Sequence, residues 1–335
     1  MSSERRDGEG CPRIVGLGAY APERVMENAE WGEHVDTTDE WIRSRTGIER
    51  RRIAGPEETT ATMAVAAARR ALDDAGLEPA DLDEIVVATD TPEVYIPDTA
   101  AFVQHLLGAR EVPAYDLAGS GCAGFVQALD VARSRALAGQ GRVLVVGVEL
   151  LTRIMDWSDR STCVLFGDAA GAAIVAAGGD EGAEILAAVA GTDGSRWSIL
   201  TLEAGGTRMP FHSEGGRSAH DSIVMNGREV FREAVARMCE AARAVLAKAG
   251  HTLDDVALMV PHQANLRIVQ AVGQRLGMPA ERVFVNVQDY GNTGSASVPL
   301  ALVQARAAGR IRPGDLVLLT TFGAGFHWAA ALLRF

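Results

Sequence analysis

Residues 72–87, LDDAGLEPADLDEIVV, recur in outline as residues 246–261, LAKAGHTLDDVALMVP. Each copy predicts an amphipathic helix that ends at a glycine, then an acidic turn, then an apolar strand. The matched pairs are Leu72 with Leu246, Ala75 with Ala249, Gly76 with Gly250, Asp81 with Asp255, and Leu82 with Val256. Because each copy is a strand-and-helix unit, the repeat predicts an α/β chain built from two similar halves.

The repeat continues beyond this first helix and strand. Further along, Asp116 aligns with Asn286, Cys122 with Asn292, Gly124 with Gly294, and Phe166-Gly167 with Phe322-Gly323. The sequence separation between matched residues becomes smaller along the chain, which indicates shorter loops in the second copy. We expect an N-terminal half over about residues 12–175 and a C-terminal half over about 180–335. Cys122 and Asn292 then hold equivalent positions, each just before a helix, and are expected to face one another where the halves meet.

The composition limits the classes of function. The chain has 335 residues, of which 47% are hydrophobic and 23% charged, as expected for one large or two fused globular domains. A net charge of −12 argues against a nucleic-acid partner, since phosphate binding needs a basic surface. No apolar run reaches roughly 18 residues, so no membrane-spanning helix is expected. Residues 1–10, MSSERRDGEG, predict a disordered tail rather than a signal peptide.

The chain has four cysteines and no CxxC pair, which indicates free thiols in a reducing compartment, and we expect the cytoplasm. No set of His, Cys or carboxylate residues has the spacing of a metal site, so no catalytic metal is expected.

Cys122 lies between small residues, Gly119-Ser-Gly121 and Ala123-Gly124, ahead of a helical stretch over 125–138. A thiol at the start of a helix is stabilised as thiolate by the helix dipole, and the glycines permit close approach of a thioester. The alternative is a small core residue at a tight turn, which is the common fate of a free cysteine.

Two further polar residues have motif-like surroundings. His262 follows the apolar strand at 257–261, and the carboxyl end of such a strand is where open α/β folds bind ligands. A single histidine at a strand end is more often structural. Asn292 could equally serve as the left-handed residue of a turn beside Gly291. Taken together, a thiol nucleophile with a distant His and Asn indicates acyl transfer.

These motifs resemble those of the β-ketoacyl-ACP synthase III family. The resemblance runs from about residue 13 to Phe335. It is carried by Cys122, PHQANLR around His262, GNT around Asn292, FGDAAG at 166–171 and DEWIRSRTGI at 39–48. It implies the thiolase fold, an α/β architecture in which two pseudo-symmetric halves form five αβαβα layers.

The resemblance implies a two-step reaction with no cofactor beyond the thioester substrates. An acyl-CoA first acylates Cys122, and a malonyl-ACP then loses carbon dioxide to give an enolate that attacks the acyl-cysteine. His262 and Asn292 would donate hydrogen bonds to the malonyl thioester oxygen. The backbone N–H groups of Cys122 and Ala324 would bind the oxyanion; the family usually has glycine at the latter position.

The same resemblance assigns three sets of binding residues. The positions that match CoA and pantetheine contacts are Thr37, Trp41, Arg45, Arg160, Asn226, Gly227 and Asn265. Those that match a basic patch for the acyl carrier protein are Arg232, Arg267 and Arg275. The acyl pocket is expected to involve Tyr95, Ile96 and Phe166. The resemblance also implies a homodimer joined through the segment at 112–117, with Tyr95 or Ile96 reaching the partner's acyl pocket.

The sequence departs from the family pattern in three places. Six positions separate Asp116 from Cys122, one more than the family has, and Ser120-Gly121 replaces the usual small apolar pair. Tyr95-Ile96 stands where acyl length is selected. The segment 203–221 is rich in Gly, Ser and His and predicts a mobile flap. These differences leave the acyl substrate open.

Several alternatives remain at this stage. A biosynthetic thiolase needs a second cysteine near the C-terminal glycines, and FGAGFHW at 322–328 has none. A hydroxymethylglutaryl-type synthase needs a carboxylic acid near the end of the first strand, where Asp90 or Glu93 would have to serve. A non-catalytic partner subunit would lack the nucleophile. A secondary-metabolism relative would prime polyketides, join two acyl or β-ketoacyl chains, or transfer an acyl group to an oxygen or nitrogen nucleophile.

Overall fold

The computed structural model describes residues 11–179, 181–210 and 221–335. The tail expected at 1–10 lies outside these residues, as does the central part, 211–220, of the expected flap. The strands are β1 (Pro12–Tyr20), β2 (Val25–Glu27), β3 (Arg50–Arg52), β4 (Glu84–Thr89), β5 (Ala114–Ala118), β6 (Arg142–Leu150), β7 (Asp168–Ala177), β8 (Ala183–Thr192), β9 (Leu200–Thr201), β10 (Val224–Met225), β11 (Val256–Pro261), β12 (Leu316–Gly323) and β13 (His327–Arg334). The α-helices are α1 (Asp39–Thr46), α2 (Thr60–Ala75), α3 (Thr99–Leu107), α4 (Gly124–Leu137), α5 (Gly227–Ala249), α6 (Leu266–Leu276), α7 (Val287–Tyr290) and α8 (Ser297–Ala307).

One mixed sheet runs in the order β11-β12-β13-β8-β1-β7-β6-β4-β5. The strands before residue 178 form one group and those after it form the other, and the two groups meet at β1 and β8. That junction consists of two short register pairs, Arg13 with Glu184 and Ile14 with Ala183. Parallel pairing occurs between β4 and β5, β4 and β6, and β11 and β12, with antiparallel pairing elsewhere in the sheet.

Helices cover both faces of each strand group. On one outer side, α2 packs on β1, β6 and β7, and α3 packs on β4 and β5. On the other, α5 packs on β8, β12 and β13 and carries α6. Helices α4 and α8 lie in the middle and contact strands of both groups. The five αβαβα layers of the thiolase fold are therefore present, as the resemblance implied.

Apolar side chains fill the spaces between these layers. The central cluster includes Phe125 and Leu129 of α4 with Val298 and Leu302 of α8, all buried. A second cluster under α2 is rich in alanine, which lets that helix approach the sheet closely. A third, centred on α5, includes Met238. Because both faces of β4 and β12 are covered, every residue of these strands is buried, which explains their continuous apolar sequence.

The local predictions for the repeat are confirmed. Strand β4 is the apolar strand expected in the first copy, and β11 begins one residue earlier than the strand expected at 257–261. Helices α2 and α5 end just before Gly76 and Gly250. Within the described residues, β5 pairs only with β4, so the edge strand begins at Ala114 and contains most of the segment at 112–117.

Candidate active site

The segments that carry the three motif residues end at one cavity of about 1220 Å³. Cys122 stands immediately before α4, and His262 follows the last residue of β11. Asn292 precedes the short turn at 294–296 that leads into α8. All three side chains line the cavity, although they come from segments 30 to 170 positions apart. The structure thus brings together the residues that the sequence motifs singled out.

The nucleophile turn packs directly against the end of β12. A Cβ atom placed on Gly121 would lie 2.4 Å from the backbone nitrogen of Ala324. Reciprocally, a Cβ atom on Gly323 would lie 2.4 Å from the backbone nitrogen of Cys122. Only glycine at both positions permits this approach. The contact places the backbone nitrogens of Cys122 and Ala324 side by side at the cavity, so the sequence-predicted oxyanion pair is brought together.

Asn292 faces Cys122, and its own contacts fix the orientation of its amide. The Cys122 Sγ lies 3.9 Å from Asn292 Oδ1, and the backbone N–H of Gly294 donates to the same oxygen at 2.9 Å. Because Oδ1 accepts this backbone bond, Nδ2 is the hydrogen-bond donor of the side chain. No non-glycine residue among those described has a positive φ. The interpretation of Asn292 as a left-handed turn residue is therefore wrong.

A serine that the sequence reasoning missed holds the imidazole of His262. Nδ1 lies 2.6 Å from Ser297 Oγ, and both residues are buried. The Ser297 oxygen also accepts the backbone N–H of Gln263 at 3.5 Å. Among the described residues, Nδ1 is the one acceptor for the hydroxyl proton of Ser297, and a buried hydroxyl without an acceptor costs about 1–3 kcal/mol. We therefore assign the imidazole proton to Nε2, which makes that atom a donor.

Burial keeps the imidazole neutral. Desolvation lowers the pKa of His262 from 6.5 to about 3. Since the protonated form is populated only below that pKa, the ring is uncharged throughout the neutral range. A neutral imidazole with its proton on Nε2 donates a hydrogen bond without bringing a positive charge into the cavity.

The thiol of Cys122 has the opposite tendency to the one expected from its position before α4. Desolvation raises the pKa of Cys122 well above its ordinary value, and the nearby carboxyl groups of Asp90 and Glu149 raise it further. Contacts with Asn292 and with its own backbone lower that pKa, but by less. Burial and the two carboxyl groups therefore favour the neutral thiol, whereas the position before α4 favours the thiolate.

The two carboxyl groups near Cys122 form a cluster that the sequence did not reveal. The buried Glu149 carboxyl accepts the hydroxyls of Thr91 at 2.8 Å and Ser295 at 3.0 Å. It also accepts the backbone N–H of Asp90, at 3.1 and 3.2 Å. Burial and the charge of Asp90 raise the pKa of Glu149. These partners lie about 58 and 146 positions from Glu149 in the chain, so no local motif connects them.

Some of the residues expected to bind CoA line the cavity and others do not. Trp41, Arg45, Gly227 and Asn265 line it, and the Asn265 amide donates to the Arg45 carbonyl at 3.2 Å. Within the described lining, Thr37, Arg160 and Asn226 are not included. Arg160 instead lies over the Trp41 ring, 4.7 Å from its centroid, and the Asn226 side chain caps α5 by accepting the Glu229 N–H.

The residues expected at the acyl pocket and at the carrier-protein patch differ in how much of their surface is exposed to solvent. Phe166 is buried and lines the cavity, as expected for the acyl pocket. Tyr95 also lines it, yet Tyr95 and Ile96 are 76% and 81% exposed, which is unusual for large apolar side chains. Arg232, Arg267 and Arg275 are all exposed, on α5 and α6.

No cluster of three or more His, Cys, Asp or Glu side chains in the described part of the chain has the arrangement of a metal site. None of the helices described is both long and apolar enough to cross a membrane.

Comparison with known proteins identifies the family. Two family models match, 3-oxoacyl-(acyl-carrier-protein) synthase III over residues 115–194 and its C-terminal counterpart over 246–335. The β-ketoacyl-(acyl-carrier-protein) synthase III of Rhodobacter capsulatus is 50% identical over 96% of this chain and 98% of its own. The crystal structure of the Aquifex aeolicus 3-oxoacyl-(acyl-carrier-protein) synthase III matches with a TM-score of 0.88 and 45% identity, covering 97% of this chain and 100% of that one. The priming β-ketosynthase of a polyketide biosynthetic pathway matches with a TM-score of 0.87 and 40% identity, covering 99% and 98%.

The layered fold and the thiol, imidazole and amide at one cavity define an acyltransferase of the thiolase superfamily, of the ketosynthase type. Within that class, the chain belongs to the β-ketoacyl-ACP synthase III family.

The assigned tautomer of His262 gives the first prediction. Nitrogen NMR of histidine-labelled protein should show His262 protonated on Nε2, with no titration between about pH 5 and 8 because its pKa is about 3. In Ser297→Ala, Nδ1 loses its donor, so the ring should populate both tautomers; Ser297→Thr retains the hydroxyl and serves as the control. A native ring protonated on Nδ1 would contradict the assignment.

Proposed function

We propose that this protein condenses an acyl group with a malonyl-ACP by a decarboxylative Claisen reaction, with Cys122 as the acyl carrier. The observation that supports this most is the convergence of Cys122, His262 and Asn292 on one cavity in a chain of this family. Each of the three residues has a chemical role that the geometry suits.

In the first half-reaction, Cys122 Sγ attacks the carbonyl carbon of an acyl-CoA. The adjacent backbone N–H groups of Cys122 and Ala324 stabilise the oxyanion of the tetrahedral intermediate. The intermediate then collapses, the bond to the CoA sulfur breaks, and the proton of the thiol leaves with CoA. An alanine at position 324 suffices, because the donor is its backbone N–H.

In the second half-reaction, a malonyl-ACP enters the same cavity. Its carboxylate leaves as carbon dioxide, and the electron pair of the broken bond forms an enolate on the thioester. His262 Nε2–H and Asn292 Nδ2–H donate to the enolate oxygen. The enolate carbon attacks the acyl-cysteine, the carbon–sulfur bond breaks, and the Cys122 thiolate takes up a proton from solvent. Decarboxylation generates the enolate, so no base is needed to remove an α-proton.

The CoA moiety is proposed to bind at the end of the cavity formed by Trp41, Arg45, Gly227 and Asn265. Arg160 on the Trp41 ring adds a cation for the CoA phosphates. Thr37 and Asn226 would contribute from beside this entrance. A basic patch of Arg232, Arg267 and Arg275 would receive the acidic carrier protein; Arg232 also pairs with Glu233 at 3.3 Å, which weakens its contribution.

We further propose a homodimer. The edge strand β5 and the neighbouring exposed side chains of Tyr95 and Ile96 support it, since pairing of β5 across a twofold axis would extend the sheet and cover them. Residues 12–175 and 180–335 would be the two pseudo-symmetric halves of each protomer. The free thiols of Cys122, Cys163 and Cys239 fit a reducing cytoplasm, and the proposed reaction needs no cofactor beyond its thioesters.

A second candidate lies within the same chemistry. The 40% identity to a priming ketosynthase of a polyketide pathway supports a role in starting polyketide chains rather than fatty acids. Intact-protein mass spectrometry after incubation with a panel of acyl-CoA thioesters distinguishes the two, because the mass added to the protein identifies the preferred starter.

The identity of the nucleophile gives the second prediction. Incubation with a cognate acyl-CoA should add one acyl mass, located on Cys122 by peptide mapping, and Cys122→Ser should abolish it. Cys163→Ser is the control and should label normally, since Cys163 is buried outside the cavity lining. Label on Cys163 or Cys239 would refute the assignment.

The third prediction separates the half-reactions. Asn292→Ala should still be acylated, yet carbon dioxide release from malonyl-ACP should fall about 100-fold or more, the usual cost of losing one donor to a developing oxyanion. If the native protein is acylated but decarboxylates no malonyl thioester, simple transfer or the joining of preformed chains becomes the better proposal.

The fourth prediction concerns the shared acyl pocket. If Ile96 closes the partner's pocket, Ile96→Gly should extend the range of acyl chains accepted while the protein remains dimeric by light scattering. A monomeric native protein, or an unchanged acyl profile in the variant, would count against the shared pocket.

A further inference from the structure

Asp90, the first residue after β4, lies beside the turn that carries the nucleophile. Its Oδ1 accepts the backbone N–H of Gly119 at 3.0 Å. Burial raises the pKa of this carboxyl group, and the nearby backbone N–H groups of Gly121 and Gly119 lower it. Gly119 and Gly121 flank Ser120 in the turn that precedes Cys122. One carboxyl group therefore binds the backbone of this turn at Gly119 and lies near that of Gly121, and it lines the cavity as well.

The sequence of the turn by itself does little to fix its backbone. It is longer by one residue than the resemblance predicts, it contains two glycines, and the Ser120 side chain makes no capping bond to it. On the opposite side, the backbone at Gly323 and Ala324 packs against it. The Asp90 carboxyl and the end of β12 thus hold the turn between them.

Asp90 is itself held by the buried carboxyl of Glu149. That group accepts the Asp90 backbone N–H and also the hydroxyl of Ser295, which stands three positions after Asn292. The same contacts therefore connect the turn before Cys122 with the turn that carries Asn292. Both carboxyl oxygens of Glu149 have hydrogen-bond partners, as a buried carboxyl requires.

We propose that Asp90 is a positioning residue for Cys122, whose carboxylate fixes the Gly119–Gly121 turn and thereby the sulfur and backbone N–H of the nucleophile. The inference rests on the proposed function, because the benefit of this order is acyl transfer. It also argues against Asp90 as a free catalytic acid, since its carboxyl group already accepts the backbone N–H of Gly119.

The charge of the Asp90 carboxylate also acts on the thiol of Cys122, and this effect is unfavourable to the nucleophile. Its charge raises the pKa of the neighbouring thiol, so it opposes the thiolate while it orders the turn. Other titratable or charged groups at the site are Glu149 behind Asp90 and, along the cavity, Arg45, Glu93, Arg153 and the neutral His262. Removing the Asp90 charge should therefore lower the pKa of Cys122. The same change should disorder the Gly119–Gly121 turn.

The fifth prediction uses these two effects, on the pKa of Cys122 and on the order of the turn, because they change the rates of two reactions in opposite directions. In Asp90→Asn, the pH profile for alkylation of Cys122 by iodoacetamide should shift to lower pH. Acyl transfer from an acyl-CoA to the same cysteine should fall about tenfold or more, because misplaced reacting groups lose rate. Asp98→Asn, which removes an exposed carboxylate on the same connection, should leave both rates unchanged. Acyl transfer in Asp90→Asn as fast as in the native protein would overturn the proposal.

A second measurement is made on the unsubstituted protein and does not depend on whether Asp90→Asn folds. Hydrogen exchange of the unsubstituted protein should show a protected amide at Gly119, and exchange of that amide at the rate of an exposed loop would overturn the proposal. A native protein that accepts no acyl group would refute the proposed function instead. The exchange and alkylation data would still decide whether Asp90 holds the turn.

Discussion

The backbone of the nucleophile turn and the backbone at the end of β12 touch at Gly121 and Gly323, and the site depends on this contact. A side chain on either glycine would stand 2.4 Å from a backbone nitrogen of the other segment. The two turns belong to opposite strand groups, so their approach sets where α4 begins relative to β12. It also brings the N–H groups of Cys122 and Ala324 together. Without it, the cavity would have a thiol but no paired donors.

Exclusion of water shifts the pKa values of the polar groups at the cavity. Burial lowers the pKa of His262 and raises the pKa of Cys122, so both are neutral at rest. Neutral donors suit a reaction whose negative charge appears only during the chemistry, since they require no counter-charge beforehand. Burial likewise raises the pKa of Asp90 and of Glu149, and the hydrogen bonds that both carboxyl groups accept oppose this shift.

The sequence predicted the elements of the fold well, because the repeat marks helix ends and strands with local signals. It also predicted that Cys122 and Asn292 would meet, since the alignment of the halves made them equivalent. It missed Ser297 and Glu149, whose partners lie 35 and 146 positions away and share no local pattern with them. It showed the helix start that favours a thiolate at Cys122 but not the burial that raises the pKa of this thiol, because burial depends on the tertiary structure. The placement of Thr37, Arg160 and Asn226 outside the cavity lining likewise depends on tertiary packing.

The central claim is that the contact between Gly121 and Gly323 creates a two-donor site for the oxyanion beside Cys122. A crystal structure of the protein acylated at Cys122 tests it most directly. The account predicts that the acyl carbonyl oxygen accepts hydrogen bonds from the backbone nitrogens of both Cys122 and Ala324, with His262 Nε2 and Asn292 Nδ2 free for the second substrate. A carbonyl oxygen bound instead to His262 and Asn292, and distant from both backbone nitrogens, would contradict it.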